Sequence, residues 1–419
     1  MVAALAACSR SDKTSANPPA SAPPTVEPAP TPTFDKGGRV CTGKTRSSAP
    51  DEADTPAVPA GITVAQGLTI EAIARVPSAR QIAALPNGDL LVATMGTKVY
   101  LVPHADAAKA GTPTVFSTID DAPVHSVTFH EPSCHVFIGS QRGVYRATYE
   151  DAQETAPSGE PIARVRAEGG GGHTTTSVAV AGAYLYAGVG SYCNACVETD
   201  PTRATVQRMN IDGSGMTTYA KRIRNPIALA TNPNTGTLWA GNAGQDALPE
   251  GHPYELFDAV TAHPLGVDYG WPDCEENQKA YTPGADCSGV VAPRVVLPAY
   301  STLISAAFYP ASPTGENALP ARYHGGAFVV ARGAWHKISG DMFFSSPRVV
   351  FVPMKGDDPV RPVDWNDPST QWTEIVTGFE TPDRKTRIGR AAGVAVGPDG
   401  SLFVSDDEQG LVFRVRPAR

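Results

Sequence analysis

The sequence predicts an all-β fold, a single six-bladed β-propeller that spans residues 60–419. Six copies of one phrase support this prediction: a turn, a β-branched or aromatic run, a glycine or acidic break, and often a second alternating run. The copies lie about 40 to 90 residues apart, which is wide for a β-sandwich but natural for four-stranded blades with variable loops. Helical periodicity is scarce throughout. A pair of β-sandwiches is the alternative fold.

The six copies follow one another along the whole predicted domain. They read "LPNGDLLVATMGTKVYLV", "EPSCHVFIGSQRGVYRATY", "VAGAYLYAGVGS", "PNTGTLWAGNAG", "YHGGAFVVARGAW" and "GPDGSLFVSDDEQGLVFRVRP". We expect the segment from Val64 to Val76 to supply a strand to the last blade and close the ring. Because the loops of a propeller converge on one end of its channel, the site residues should be scattered along the sequence.

Two segments precede the predicted propeller. Residues 1–8 end in Leu-Ala-Ala-Cys8 and resemble the lipobox of bacterial lipoproteins, which indicates a truncated signal with Cys8 as the acylated residue. An accidental match is the alternative, since the positively charged leader is missing. Residues 9–40 are a tether rich in Pro, Ala, Ser and Thr. We therefore expect a periplasmic or extracellular protein whose only membrane contact is this lipid anchor.

Composition excludes several classes of function. The 419 residues include 41% apolar ones, enough for a real core, and the net charge is −8. The chain has no dense cluster of Lys and Arg with interleaved aromatic residues, so nucleic acid is not an expected partner. The run "GGGGH" lacks the strand and helix context of a dinucleotide fingerprint, which disfavours NAD. The absence of a CxxCH motif likewise disfavours covalent haem.

Seven cysteines indicate an oxidising compartment. With Cys8 set aside as the lipid site, an even number remains, which suits three disulfides. The pairs suggested by proximity in the sequence are Cys193 with Cys196, Cys274 with Cys287, and Cys41 with Cys134. Spacing alone does not prove this pairing. The "CNACV" segment also has redox or metal spacing, but no second CxxC completes a zinc site.

The stretch "EGGGGHTTTSV" at residues 168–178 combines a glycine run with a histidine and three threonines. Glycine lets the backbone turn sharply or approach a ligand closely, so His173 could stand at the mouth of a site. A surface loop is the alternative interpretation.

Two further stretches carry unusual loop residues. Pro226 restricts Asn225 to extended geometry, which could direct Asn225 and Arg224 towards the channel. In "NAGQD", Gly244 permits a tight turn whose carbonyl oxygens could face a hard cation such as Ca²⁺. A surface arginine with a turn asparagine, and an ordinary loop, are the respective alternatives.

Several phrases resemble the soluble glucose dehydrogenases that use pyrroloquinoline quinone (PQQ) and, more closely, the sorbosone dehydrogenase-like proteins. The matching phrases are "GHTTTSV", "RNPIALATNPNTGTLW", "DYGWPDC", "GGAFVVARGAWHK" and "GRAAGVAVGPDGSLFVSDD". They occur in family order over most of the region from residue 60 to the end. The resemblance implies a six-bladed propeller that binds PQQ and Ca²⁺.

The resemblance assigns catalytic roles to two residues. His173 matches the family's base, which accepts the proton of the substrate hydroxyl while hydride passes to the quinone. A histidine with an ordinary pKa near 6.5 is mostly neutral at pH 7, as that role requires. Arg224 and Asn225 match the pair that contacts the quinone oxygens and stabilises negative charge developing there.

The resemblance also implies a calcium site. Gly244 and Gln245 match the two residues whose carbonyl oxygens bind Ca²⁺ beside the cofactor. The glucose enzymes have Gly-Pro followed by acidic residues, whereas this chain reads "AGQDALPEGHPYE". This departure makes Asp246 a further candidate ligand.

Basic residues are the candidates for binding the cofactor's carboxylates. Arg390 matches a family arginine that pairs with them, but Ala392 replaces the second family arginine. Lys337 and, after it, Arg332 are the candidates to compensate, and solvated surface charges are the alternative. His125 is a candidate for contact with cofactor or substrate from a channel loop, and a structural histidine is its alternative.

The sequence thus predicts an enzyme that oxidises an aldose, a sorbosone-like aldehyde or a polyol with PQQ and Ca²⁺. The electrons are expected to pass to an external acceptor, since the chain shows no haem motif. A metal-dependent lactonase or esterase on the same fold is one alternative, and a propeller that binds protein or glycan without catalysis is the other.

Overall fold

The computed structural model describes residues 34–48, 55–246, 254–274, 277–337 and 342–418. Within these ranges the regular structure is β-strand and short 3-10 turns, with no α-helix. The turns are Glu131–Ser133, Val260–Ala262, Ala321–Tyr323 and Pro368–Gln371. No helical segment of the described chain has the length and apolar character needed to cross a bilayer. The predicted signal at residues 1–8 and the tether up to residue 33 lie outside the described residues.

Six sheets, each with at least four strands, form the blades and confirm the predicted six-bladed β-propeller. Blade 1 contains strands Ala79–Ala84, Leu90–Thr94, Lys98–Val102 and Thr114–Thr118. Blade 2 contains Ser126–His130, His135–Gly139, Gly143–Thr148 and Glu160–Arg164. Blade 3 contains Thr176–Ala181, Tyr184–Val189, Thr205–Asn210 and Thr217–Lys221, with Val267–Asp268 at its outer edge.

The second half of the ring has the same plan. Blade 4 contains Pro226–Thr231, Leu238–Asn242, Glu255–Asp258 and Val295–Leu297. Blade 5 contains Leu303–Phe308, Ala327–Ala331, Arg348–Val352 and Thr373–Thr377, with Thr63–Val64 at its outer edge. Blade 6 contains Ala391–Val396, Leu402–Asp406, Leu411–Pro417 and Leu68–Arg75. A small hairpin of Met354–Lys355 and Asp358–Pro359 follows the third strand of blade 5.

The two ends of the propeller meet in blade 6. Leu68–Arg75 pairs antiparallel with Leu411–Pro417, which confirms the predicted closure of the ring. The first part of the predicted closing segment differs, because Val64 pairs with Val376 in blade 5. The N-terminal segment therefore joins two neighbouring blades, since a turn separates its two strands.

Adjacent blades bury their apolar faces against each other. All five residues of Leu90–Thr94, Ala327–Ala331 and Leu402–Asp406 are buried, because the middle strands of a blade are covered on both faces. Gly188 marks one place of close approach: a Cβ there would lie 1.9 Å from the carbonyl oxygen of Pro226 in the next blade. Only glycine lets these two blades meet at that distance.

The three expected disulfides are present, which confirms the pairing suggested by the sequence. They join Cys41 to Cys134, Cys193 to Cys196, and Cys274 to Cys287. The first ties the chain that precedes the propeller to blade 2. The second closes a short loop next to the cavity described below.

The first strand of each blade lines the central channel. The residues just before these strands are therefore gathered at one end of the channel. In blades 1, 4, 5 and 6 the pairing of the first and second strands shifts register close to that end. Such irregularities redirect side chains where a strand begins, so the fold supplies a place for a site there.

Candidate functional site

A cavity of about 450 Å³ lies at the end of the channel where the innermost strands begin. Blades 1, 3, 4 and 5 and their loops form its wall. Its polar and aromatic wall residues include Arg80, His173, Asn194, Arg224, Asn225, Asp246, Glu255, Tyr300, Arg332 and Trp335. The cavity thus brings together residues that are far apart in the sequence, as a propeller site requires.

The glycine-rich loop before blade 3 is held in place by two arginines. Arg166 is 1% exposed, and its Nη1 donates to the carbonyl oxygen of His173 at 3.0 Å. Arg203 donates to further carbonyl oxygens of the same loop. Gly171 has a φ of +84°, and a Cβ on it would overlap Tyr192. The loop is therefore a fixed support for His173.

The ring of His173 has a defined tautomer. Its Nδ1 lies 3.0 Å from the carbonyl oxygen and 2.9 Å from the hydroxyl oxygen of Ser191. The Ser191 hydroxyl donates its own hydrogen to the carbonyl of Cys193, so both oxygens accept from His173. Nδ1 therefore carries the proton, and Nε2, which has no hydrogen-bond partner among the described residues, keeps its lone pair.

The surroundings of His173 disfavour its charged form. Burial lowers the pKa of His173 to about 3, and the positive charge of Arg224 adds to this effect. The imidazole is thus neutral at physiological pH, and Nε2 is available as a proton acceptor.

Arg224 is a buried cation fixed by four hydrogen bonds. Its Nη1 donates to the carbonyl oxygen of Ala243 at 2.9 Å, and its Nη2 approaches Asp246 Oδ2 at 3.1 Å. The other two bonds go to the backbone and side-chain oxygens of Asn194, at 3.0 and 2.8 Å. Planar recognition of this kind orients a guanidinium precisely.

Asn225 and His173 meet across the gap left by Gly190. A Cβ on Gly190 would lie 2.4 Å from Asn225 Oδ1 and 2.5 Å from the Cβ of His173. The backbone N–H of Asn225 donates to Asn242 Oδ1 at 2.7 Å, which anchors the start of blade 4. The absence of a side chain at Gly190 therefore allows the amide and the imidazole to share one wall of the cavity.

Oxygen atoms from blade 4 form a second cluster. The carboxylate of Glu255 is buried and accepts from the Gly244 amide at 2.6 Å. Burial raises the pKa of Glu255 to about 7. Gln245 does not line the cavity, but its Oε1 is buried and has no hydrogen-bond partner among the described residues. With Asp246, these residues offer the carbonyl and carboxylate oxygens that hard cations prefer.

Arginines of blades 1 and 5 form the opposite part of the wall. Arg80 Nη1 and Arg332 Nη2 both pair with Oδ2 of Asp407, at 2.6 and 2.8 Å. Burial and the nearby charge of Arg332 together lower the pKa of Arg80 to about 10, so Arg80 remains charged at neutral pH. One carboxylate thus serves two guanidinium groups, so this part of the wall keeps an excess of positive charge.

Three residues predicted to contact the cofactor do not line the cavity. His125 is fully buried between Arg80 and Ser177, so it lies behind the wall. Arg390 is not part of the cavity lining, and its guanidinium donates to the carbonyl oxygens of residues 332–334. Lys337 is exposed and donates to the carbonyl oxygen of Lys385. Arg332, the second choice in the sequence, is the basic residue of its phrase that reaches the wall.

The sequence did not predict several polar or aromatic residues of the cavity wall, among them Arg80, Asn194, Glu255, Tyr300 and Trp335. Arg80 precedes the turn-and-strand phrase of blade 1, and Trp335 lies within "GGAFVVARGAWHK". Asn194 lies between Cys193 and Cys196, and the partners of its side chain, Arg224 and Asp246, are distant in the sequence. Glu255 reads as an ordinary polar residue of a strand. An acidic residue amid apolar neighbours in "YELF" is the signal that could have identified Glu255.

Comparisons with protein-family models and with curated proteins give no match for this chain. Solved structures do match it. The Trichoderma reesei protein of carbohydrate-active enzymes family AA12 is 17% identical, covers 87% of this chain and 100% of its own, and gives a TM-score of 0.71.

Two further solved structures share the fold. The holo form of the PQQ domain of pyranose dehydrogenase from Coprinopsis cinerea is 17% identical, covers 89% of this chain and 100% of its own, and gives a TM-score of 0.67. The PQQ-bound aldose sugar dehydrogenase from Streptomyces coelicolor is 18% identical, covers 87% of this chain and 100% of its own, and gives a TM-score of 0.55. The chain therefore has the propeller fold of these proteins.

Proposed function

We propose that this protein is a PQQ- and Ca²⁺-dependent dehydrogenase that oxidises an aldose, a sorbosone-like aldehyde or a polyol. One observation carries the proposal: His173, which is neutral and whose Nε2 has no partner in the described ranges, lines the same cavity as a buried arginine cluster and a group of hard oxygen donors. The structural neighbours that bind PQQ and act on sugars support the same reaction class.

The cavity fits the charge and size of PQQ. A cofactor with three carboxylates needs cations and directed donors. Among the residues that the structure describes, Arg80 and Arg332 share a single close carboxylate, that of Asp407. The volume of about 450 Å³ is within the range of small-molecule pockets. Arg80 and Arg332 are therefore the residues we assign to the carboxylates of the cofactor.

The oxygen cluster of blade 4 fits Ca²⁺. Gln245 Oε1 is buried and has no partner within the part of the chain that the structure describes, which is a costly state for an amide oxygen unless a ligand satisfies it. Gly244 and Asp246 line the cavity beside it, and Glu255 supplies a further carboxylate. We assign the cation to this cluster, with residues 244–246 as its candidate ligands.

The reaction needs a proton acceptor, and His173 has the required state. When bound, PQQ supplies a two-electron acceptor for hydride, and Ca²⁺ increases its electrophilicity. Nε2 of His173 accepts the proton of the substrate hydroxyl, while Ser191 holds Nδ1–H and stabilises the charge that the ring acquires.

Arg224 and Asn225 stabilise negative charge at the reacting end of the cavity. Arg224 is positively charged, buried and rigidly held, so it acts on developing charge without reorganising. Asn225 adds an amide at the same wall. Electrons then leave for an external acceptor.

The three disulfides favour an oxidising compartment. We therefore propose a periplasmic or extracellular location, with a lipid anchor at Cys8, which lies outside the described residues.

Titration of the metal-stripped protein with Ca²⁺ and PQQ tests this function. Calorimetry measures binding, and dye-coupled oxidation of a panel of aldoses, aldehydes and polyols measures turnover. We expect saturable, Ca²⁺-dependent binding of PQQ and turnover of at least one substrate class. Absence of PQQ binding would contradict the cofactor assignment.

A metal-dependent lactonase or esterase is the second candidate. Asn194, Asn225, Asp246 and Glu255 all line the cavity, and amide and carboxylate oxygens around one metal are what such a hydrolase needs. Hydrolysis of lactones or esters by the Ca²⁺-loaded protein without PQQ would favour this function. If neither reaction occurs, a binding module without catalysis becomes the better hypothesis.

A further inference from the structure

Asn194 is hydrogen-bonded to two residues of the cavity wall, Arg224 and Asp246, and to Trp271 outside it. Its backbone oxygen accepts from Arg224 Nε at 3.0 Å and from Trp271 Nε1 at 3.1 Å. Its side-chain Oδ1 accepts from Arg224 Nη2 and from the amide of Asp246, both at 2.8 Å, and its Nδ2 donates to the carbonyl of Asp246 at 2.9 Å. A single residue thus supplies two of the four hydrogen bonds of Arg224 and holds both polar groups of the Asp246 backbone.

The disulfide between Cys193 and Cys196 restrains the loop that carries Asn194. The carbonyl oxygen of Cys193 accepts from the hydroxyl of Ser191, and the same hydroxyl oxygen accepts from His173 Nδ1. The loop therefore contacts Ser191, which holds the ring of His173, and it also contacts Asp246, a proposed ligand of the cation. Because the cross-link reduces the conformations open to a four-residue loop, it favours the one in which Asn194 reaches both partners.

We propose that Asn194 is a positioning residue that sets the guanidinium of Arg224 and the backbone of Asp246 relative to each other. In terms of the proposed function, it keeps the cation-binding loop and the charge-stabilising arginine in register before cofactor and Ca²⁺ arrive. The disulfide fixes the backbone oxygen of Asn194, and the side-chain amide extends the same restraint to Asp246.

Residue-resolved hydrogen exchange on the cofactor-free protein tests this inference directly. In Asn194→Leu the amide of Asp246 loses its acceptor, and we expect its exchange to become about tenfold faster. The amide of Ala243, which donates to the backbone oxygen of Asn225, serves as the internal reference and should keep its rate. Unchanged exchange at Asp246 would overturn the proposal.

Two matched variants separate positioning from general loosening of the loop. Asn194→Asp keeps an oxygen for Arg224 and for the Asp246 amide, so it should retain the protection. Val197→Ser changes a side chain that is 89% exposed close to the disulfide, and it should exchange as the wild type does. If thermal unfolding shows that Asn194→Leu folds poorly, Asn194→Ser is the substitute, because its shorter polar side chain cannot contact Arg224 and Asp246. Equal loss of protection in all variants would contradict a specific role for Asn194.

Ca²⁺ and PQQ titrations of the same proteins provide the second measurement. We expect Asn194→Leu to bind Ca²⁺ about tenfold more weakly than the wild type, with Asn194→Asp restoring most of the affinity. Wild-type affinity in Asn194→Leu would overturn the link to the cation. If the wild type itself binds neither ligand, the proposed function fails, while the exchange data still decide whether Asn194 positions Arg224 and Asp246.

Discussion

The two sides of the cavity wall are held together by different physical means. The blade 3–4 side comprises His173, Arg224, Asn225 and residues 244–246, and its groups are fixed mainly by carbonyl and amide oxygens. The blade 1–5 side comprises Arg80 and Arg332, which depend on the shared carboxylate of Asp407. On the blade 3–4 side, hydrogen bonds hold the groups in place and fix the tautomer of His173. The blade 1–5 side carries excess positive charge.

This difference indicates a division of tasks. The neutral oxygens of Ser191 fix the tautomer of His173 without placing a carboxylate beside the ring that would compete with it for a proton. Two guanidiniums on one carboxylate leave donors and charge for an anionic ligand. Substitutions of His173, Arg224 or Asn225 should therefore change mainly the rate, and substitutions of Arg80 or Arg332 should change mainly the affinity for PQQ.

The largest expected effect comes from the base. His173→Asn removes Nε2 as a proton acceptor, and we expect kcat to fall about 1,000-fold with PQQ affinity changed less than about threefold. Dye-coupled steady-state kinetics and calorimetric titration measure the two quantities. His324→Gln changes a histidine that bonds to the carbonyl of Leu319 outside the cavity, and it serves as the control. A rate within about tenfold of wild type would assign proton acceptance to another group.

Removal of positive charge from the blade 1–5 side should lower the affinity for PQQ and leave kcat nearly unchanged. Arg332→Gln loses a cation beside the proposed carboxylate site, and we expect PQQ affinity to fall about 30-fold at nearly unchanged kcat under saturation. Lys337→Gln is the matched control, because Lys337 comes from the same sequence phrase but lies outside the cavity. Equal losses in both variants would show that the cofactor site extends beyond the wall described here.

Asp407 offers a test in which affinity and stability move in opposite directions. Asp407→Asn leaves Arg80 and Arg332 without their shared anion, so the free energy of unfolding should fall by about 3 kcal/mol. The additional positive potential should strengthen PQQ binding about fivefold at low ionic strength, and salt should weaken that gain. Urea unfolding and titrations at two salt concentrations measure both changes. Weaker binding at low salt would mean that Asp407 acts mainly by orienting the arginines.

The six-bladed fold could be predicted from the sequence because the patterns that indicate each blade are local. Each recognised phrase is a turn with its flanking strands, and six of them predict six blades. The strand partner of Val64 could not be predicted, because its pairing with Val376 depends on which blade edge is free after the ring has closed. Burial of middle strands such as Ala327–Ala331 on both faces also arises only from blade packing.

The candidate site was accessible where a loop phrase directly precedes an innermost strand. His173, Arg224 and Asn225 come from such phrases and line the cavity. Arg390 comes from one too, but its direction depends on carbonyl oxygens 57 residues away in sequence, at Gly333, which no local pattern encodes. Asn194 was missed for the same reason, since its partner Asp246 is 52 residues distant.

The smallest expected effect concerns acid stability and the blade 3–4 side. The pKa of His173 is about 3 in the folded protein, against an ordinary value of 6.5 in the unfolded chain. Between these values the unfolded chain binds a proton that the folded protein does not, so stability falls as the pH is lowered from 6.5 towards 3. His173→Gln removes this proton and should flatten the decline by up to about 1.4 kcal/mol per pH unit. Urea unfolding at pH 7, 6 and 5 measures the slope, and a slope equal to that of wild type would show that the folded protein already accepts the proton at His173.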